Sequence, residues 1–117
     1  MNIVLGEENI VEIKDRMTVL ELDRFKVEKS DQIVTAYCVL ENLNIGDLMQ
    51  LESYKSLHQN LIKNYRLKNW SYCEQAIEHL YGKWAGQLDS FYDDLLVRIG
   101  KLKSVDPGPE WKGIIVR

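Results

Sequence analysis

Apolar and polar positions change period once along this chain, near residue 44, and that change divides the sequence. Before it, four runs rich in Val, Ile, Thr and aromatics, Ile3–Leu5, Ile10–Ile13, Thr18–Val27 and Ile33–Leu40, read as β-strands. In the third run Val19, Glu21, Asp23, Phe25 and Val27 interleave with Leu20, Leu22, Arg24 and Lys26. In the fourth, Ile33, Thr35, Tyr37 and Val39 alternate with Val34, Ala36, Cys38 and Leu40, apolar enough on both faces for both to be covered. The polar stretch Glu28 to Gln32 between these two runs predicts an antiparallel hairpin.

Beyond Asn42–Asn44 the spacing becomes helical. Asn44 or Asp47 can cap a first helix, with Gln50 completing a capping box, and Leu51, Tyr54, Leu57, Leu61 and Tyr65 then share one face. A short polar elbow at Lys68–Asn69 leads to a second capping-box pattern, Ser71 with Glu74. The next stripe is Cys73, Ala76, Ile77, Leu80 and Trp84, and Gly82 and Gly86 weaken the helix at its end. A third helix opens near Asp89 with Phe91, Leu95, Ile99 and Leu102 inward. The stretch Asp106-Pro107-Gly108-Pro109 stops it, and Trp111 to Val116 forms a short apolar tail that could lie back over the core. Strands followed by helices predict the α+β class: a small antiparallel sheet packed against a TPR-like helical hairpin with a third helix. The expectation is a single domain over 1–117, with a β-rich part at 1–42, a helical part at 45–104 and a tail at 105–117. The hairpin occurs once, so no repeat array is expected.

Composition adds little to this picture, because 117 residues with 45% apolar and 28% charged positions are those of an ordinary globular domain. Charge adds more. The net charge of −3 argues against nucleic acid or an anionic membrane as partner. Residues 1–45 carry five Lys/Arg against nine Asp/Glu, whereas residues 46–117 carry ten against nine, so the acidity lies in the strand-rich part. Neither a basic leader segment nor an apolar run long enough to span a bilayer is evident, so a cytoplasmic protein is expected, or one of the host cytoplasm if phage-encoded. Cys38 and Cys73, without CxxC spacing, read as buried free thiols.

Candidate chemistry is sparse. His58, Cys73 and His79 lack a helical or zinc-like spacing, so structural or surface histidines and a buried thiol are expected rather than a metal site or a nucleophile. Asp89, Asp93 and Asp94 suit the first turn of a helix through its macrodipole. Trp84 and Trp111 suit core or lid packing, with Trp111 an anchor for a partner if exposed. One cluster mixes basic and aromatic residues: Lys63, Arg66 and Lys68 with Tyr65 and Trp70. Its plain structural alternative is an elbow packed by Tyr65 and Trp70 beneath solvated cations.

Two stretches carry a family likeness. Glu21-Leu22-Asp23-Arg24-Phe25-Lys26-Val27 followed by Ile33-Val34-Thr35-Ala36-Tyr37 resembles the last catalytic-domain hairpin of bacterial class III nucleotide cyclases. Tyr65-Arg66-Leu67-Lys68-Asn69-Trp70, Ala76, Asp89-Ser90-Phe91-Tyr92 with Arg98, and Pro109-Glu110-Trp111-Lys112-Gly113 are similar to the helical tail that often follows it, in the same order. The family's glycine after Val-Lys is absent, since Glu28 follows Val27. The paired metal-binding aspartates and purine-recognition residues have no counterpart in the chain, so the resemblance implies no cyclase activity. The layout also looks like that of small uncharacterised proteins of large tailed marine phages. The expected function is therefore a non-enzymatic protein-interaction module, phage-encoded, docking a host or viral protein or pairing with itself. Its partner-binding residues are Lys63, Arg66, Lys68, Trp70 and Trp111, with no catalytic, cofactor or metal residues. Two alternatives are a nucleotide or small-ligand sensor with a pocket of Tyr37, Tyr65, Arg66 and Trp70, and a minor virion structural protein.

Overall fold

The computed structural model describes residues 2–26, 31–40 and 48–116. Val27, the turn residues Glu28 to Ser30 and the capping candidates Asn44 and Asp47 lie outside the described residues. The class is α+β: strands β1 (Asn2–Leu5), β2 (Thr18–Lys26) and β3 (Ile33–Leu40), helices α1 (Leu48–Arg66), α2 (Trp70–Leu80) and α3 (Asp89–Ser104), and strand β4 (Ile114–Val116). The chain forms two compact units, Met1–Asn42 with Gly113–Arg117, and Leu43–Lys112.

In the strand unit the order is β1-β3-β2-β4. β1 and β2 both pair antiparallel with β3, but β4 pairs parallel with β2, Ile115 facing Phe25, so the sheet is mixed rather than antiparallel. A three-residue strand is too short to show a period, which is why the end of the chain read only as an apolar tail. Ile10–Ile13 is not a strand. A 3-10 turn at Glu7–Asn9 is followed by local bonds such as Lys14 N–H to the Ile10 carbonyl, and the Ile10/Ile13 spacing belongs to these turns, which bury Ile10. Simple alternation in β2 also fails. Glu21 faces Tyr37 and Arg24 faces Thr35, so one extra residue is accommodated at Leu22–Asp23 in a β-bulge. After the bulge Phe25, not Arg24, shares the face of Leu20, and Arg24 comes within 3.6 Å of Glu21.

The helical unit buries one face of each helix. His58, Leu61, Ile62 and Tyr65 of α1, Cys73, Ala76, Ile77 and Leu80 of α2, and Phe91, Tyr92, Leu95 and Ile99 of α3 are buried, with Leu88 and Trp84 from the connection before α3. Leu51, Tyr54 and Leu57 are only half-buried, so the inward stripe of α1 is rotated from the expected one toward His58 and Ile62. The Ser71/Glu74 capping box is absent: α2 starts at Trp70 with Asn69 at its cap and no side-chain cap bond, and Glu74 instead accepts from Lys103 Nζ at 2.6 Å.

The connection 81–88 is held by side chains. Asp89 Oδ1 accepts from the Gly82 amide at 2.8 Å, and Tyr81 donates its hydroxyl to Asp93 Oδ2 at 3.1 Å. Ala85 sits at φ 56°, a left-handed conformation in which a Cβ costs about 1 kcal/mol. Ala85→Gly is therefore expected to stabilise the unit by about 0.5 kcal/mol after the extra entropy of the unfolded chain is charged, read as a higher urea midpoint at unchanged slope.

Candidate functional site

The elbow between α1 and α2 is where the candidate residues converge, and its backbone explains how. Helix α1 ends in a Schellman motif: the Lys68 amide donates to the Tyr65 carbonyl at 3.1 Å and the Asn69 amide to the Asn64 carbonyl at 2.9 Å. Such an ending needs a left-handed residue, and Lys68 supplies it at φ 63° in place of the usual glycine. The side chain that this position retains is used, because Lys68 Nζ reaches Asp106 Oδ1 at 3.3 Å and the Gly108 carbonyl at 3.1 Å. The apolar staple usual in this motif is replaced by a polar one, Asn69 Nδ2 to Asn64 Oδ1 at 2.7 Å. Asp106 also accepts from the Gly108 amide at 2.9 Å, and that bond first, then Lys68, holds its carboxyl below the usual range. The segment after α3 is thus tied to the elbow.

That tie places Trp111 beside Tyr65 and Trp70. Ring centroids are 5.2 Å apart for Tyr65–Trp111, 5.7 Å for Trp70–Trp111 and 6.0 Å for Tyr65–Trp70, all at steep angles. The two Tyr65 pairs are edge-to-face and Trp70–Trp111 is tilted, and aromatic pairs of this kind contribute about 0.5–1.5 kcal/mol each beyond their buried area. Tyr65 is buried beneath, whereas Trp70 and Trp111 are half-buried. Beside them Leu67, Lys68, Trp70, Leu102, Lys103 and Asp106 line an open depression of about 560 Å³. Leu67 stays 59% exposed.

Of the expected partner-binding residues, Lys68 and Trp70 line the depression and Trp111 packs on Trp70. Lys63 and Arg66 stand in the last turn of α1 but do not line it; there they also favour the negative end of the helix dipole. Leu67, Leu102, Lys103 and Asp106 were not singled out by sequence: Leu102 read as inward-facing, and nothing in the spacing links Lys103 or Asp106 to residues some 35 positions earlier. Tyr37 belongs to the strand unit, whereas Tyr65, Arg66 and Trp70 belong to the helical one.

No protein-family model, curated protein or solved structure matches this chain.

The remaining candidates resolve into structural roles. Trp84 is fully buried and donates Nε1–H to the Tyr92 hydroxyl at 2.9 Å, and that hydroxyl lies 3.0 Å from His58 Nδ1. His58 is thus a core residue, while His79 is exposed. Cys73 lies 3.8 Å from the Leu61 carbonyl, and burial, then Glu74, pushes its thiol up to about 12. Burial likewise pushes Cys38 up to about 11, and both thiols are free. Nucleophilic work needs the opposite shift. Only Asp89 falls in the first turn of α3; with Asp93 it is engaged in the loop bonds above. Among the described residues no group of His, Cys, Asp and Glu could hold a metal ion, and no helix is long and apolar enough to cross a membrane.

Proposed function

We propose that the protein is a non-enzymatic interaction module whose elbow docks an acidic protein segment carrying an apolar anchor. The observation that carries this reading is the pairing of two half-buried tryptophans and an exposed leucine with a basic surround at one end of the helical unit. Lys68 and Lys103 are ion-paired with Asp106 and Glu74, so the net positive charge there is that of Lys63 and Arg66 in the last turn of α1, beside the depression, and Glu110 and Lys112 on either side of Trp111 cancel. Tryptophan and arginine are the residue types that most often dominate binding energy, and aromatics already ordered against one another lose little entropy on contact. The cations steer an acidic partner and fix its register, while the depression accepts its apolar side chain.

Affinity selection from a random peptide library on the immobilised protein tests this. Selected sequences are expected to be rich in Asp and Glu around one aromatic or leucine. Binding is expected to weaken about 30- to 150-fold, equivalent to roughly 2–3 kcal/mol, in a folded Lys63→Glu, Arg66→Glu, Lys68→Glu variant. Selection without an acidic consensus, or equal binding by the variant, contradicts the reading.

A further inference from the structure

Two ion pairs stand at the depression, and they are built differently. Lys103 Nζ of α3 lies 2.6 Å from Glu74 Oε1 of α2, so this pair joins two helices and both of its ends are fixed by regular backbone. Lys68 Nζ lies 3.3 Å from Asp106 Oδ1, beyond the roughly 2.7–2.9 Å of a strong charge-assisted bond. Asp106 stands past the end of α3, in a segment without helix or strand, and its side chain is 76% exposed against 27% for that of Lys68.

The local backbone accounts for an oxygen at this position but not for its charge. Asp106 Oδ1 accepts from the Gly108 amide at 2.9 Å in an Asx turn, with Gly108 at φ 97° between Pro107 and Pro109. An asparagine oxygen would accept that bond as well, and a serine oxygen somewhat more weakly. The negative charge is therefore surplus to the turn, and Lys68 is what it meets. The turn also sets the Gly108 carbonyl beside the carboxylate, and Lys68 Nζ donates to both, at 3.1 and 3.3 Å. A side-chain carboxylate next to a main-chain carbonyl is what an acidic peptide offers a lysine.

We propose that Asp106 masks the elbow, an inference that rests on the docking role above: it engages Lys68 in place of an acidic partner's carboxylate, and docking displaces it. Lys63 and Arg66, in the last turn of α1, attract the partner from a distance, and Lys68 then exchanges one carboxylate for the other. Glu74 is not displaced, because its bond to Lys103 is short and both ends lie on helices. The packing of Trp111 on Tyr65 and Trp70 persists throughout. Only the unmasked fraction of the chain binds, so apparent affinity is lowered by that fraction. An exposed pair is weak, so the mask tunes affinity rather than closing the site.

Isothermal titration of the full chain with a synthetic peptide, one leucine between two runs of glutamate, tests the mask. Asp106→Asn and Asp106→Ser keep an acceptor for the Gly108 amide and remove the charge. Each is expected to tighten peptide binding about two- to fivefold, the range an exposed ion pair spans, and the gain should vanish near about 0.5 M salt. Glu110→Gln takes an equal charge from the same segment and is expected to change affinity by less than about 1.5-fold. Equal affinity in the natural chain and both Asp106 variants, or an equal gain from Glu110→Gln, overturns the mask and leaves the elbow as a docking surface. Weaker binding by the Asp106 variants overturns it too, since the carboxylate would then serve by holding Trp111 in place. Binding by none of these chains removes the docking role and the mask together.

Discussion

Removing one oxygen atom, in Tyr92→Phe, is expected to destabilise the helical unit by about 2–4 kcal/mol, because two other buried groups depend on that atom. Tyr92, Trp84 and His58 are all buried. The Tyr92 hydroxyl accepts from the Trp84 indole and shares a second hydrogen bond with His58 Nδ1. Phenylalanine keeps the ring packing against His58 and Phe91 but leaves the indole N–H and Nδ1 without this partner, each at a desolvation cost of about 1–3 kcal/mol. In thermal unfolding the midpoint should fall by roughly 10 °C or more for a unit of this size. Tyr72→Phe, on the exposed face of α2, is the control and should change stability by less than about 0.5 kcal/mol. Equal effects from the two substitutions would remove the buried hydroxyl from the account of this core.

The second large effect is a loss of stability in alkali. Burial raises Cys38 from 9.0 to about 11 and Cys73 from 9.0 to about 12. Both are raised, so the stability linked to them is fully present below pH 9. Above it the unfolded chain releases thiol protons that the folded chain retains, and stability falls until the folded pKa values are reached. By pH 11 the loss comes to roughly 2–3 kcal/mol for each thiol, at 1.36 kcal/mol per unit of pKa difference. Urea midpoints at pH 8, 9.5 and 10.5, compared between the natural chain and a Cys38→Ala, Cys73→Ala variant, isolate this contribution from that of tyrosines and lysines. The variant should be less stable at pH 8, from its cavities, and should lose less between pH 8 and 10.5. Parallel pH dependence in the two proteins would mean that the thiols are not buried.

Much of the architecture is legible in the pattern of residues. β3 runs over the same residues as its apolar run, and α3 opens at Asp89 and ends ahead of the Asp-Pro-Gly-Pro stop. These elements have unmixed periods and strong punctuation. Illegible elements are those in which two periods coincide or in which a distant partner decides. Ile10, Val11 and Ile13 satisfy a strand pattern and a helical spacing equally, and the local bonds that decide for turns involve the backbone alone. The bulge at Leu22–Asp23 is hidden inside a run whose residues alternate on either side of it, and β4 exists only because β2 offers an edge. At the elbow, Lys63, Arg66, Lys68 and Trp70 could be picked out because they are neighbours in sequence, and Trp111 as an aromatic beside a proline-rich stop. The depression itself could not be, since Leu102, Lys103 and Asp106 reach it only through the bonds of Lys68 to Asp106 and Gly108.

The three tryptophans allow the most direct test of the binding surface. In a proton–nitrogen NMR spectrum each indole N–H gives its own signal, Trp70 and Trp111 reporting the elbow and Trp84 the closed core. On titration with a selected acidic peptide, the Trp70 and Trp111 signals should move together and saturably, less so at high salt, while the Trp84 signal stays in place. If none of the three moves, or if Trp84 moves as far as the other two, the elbow is not the docking surface.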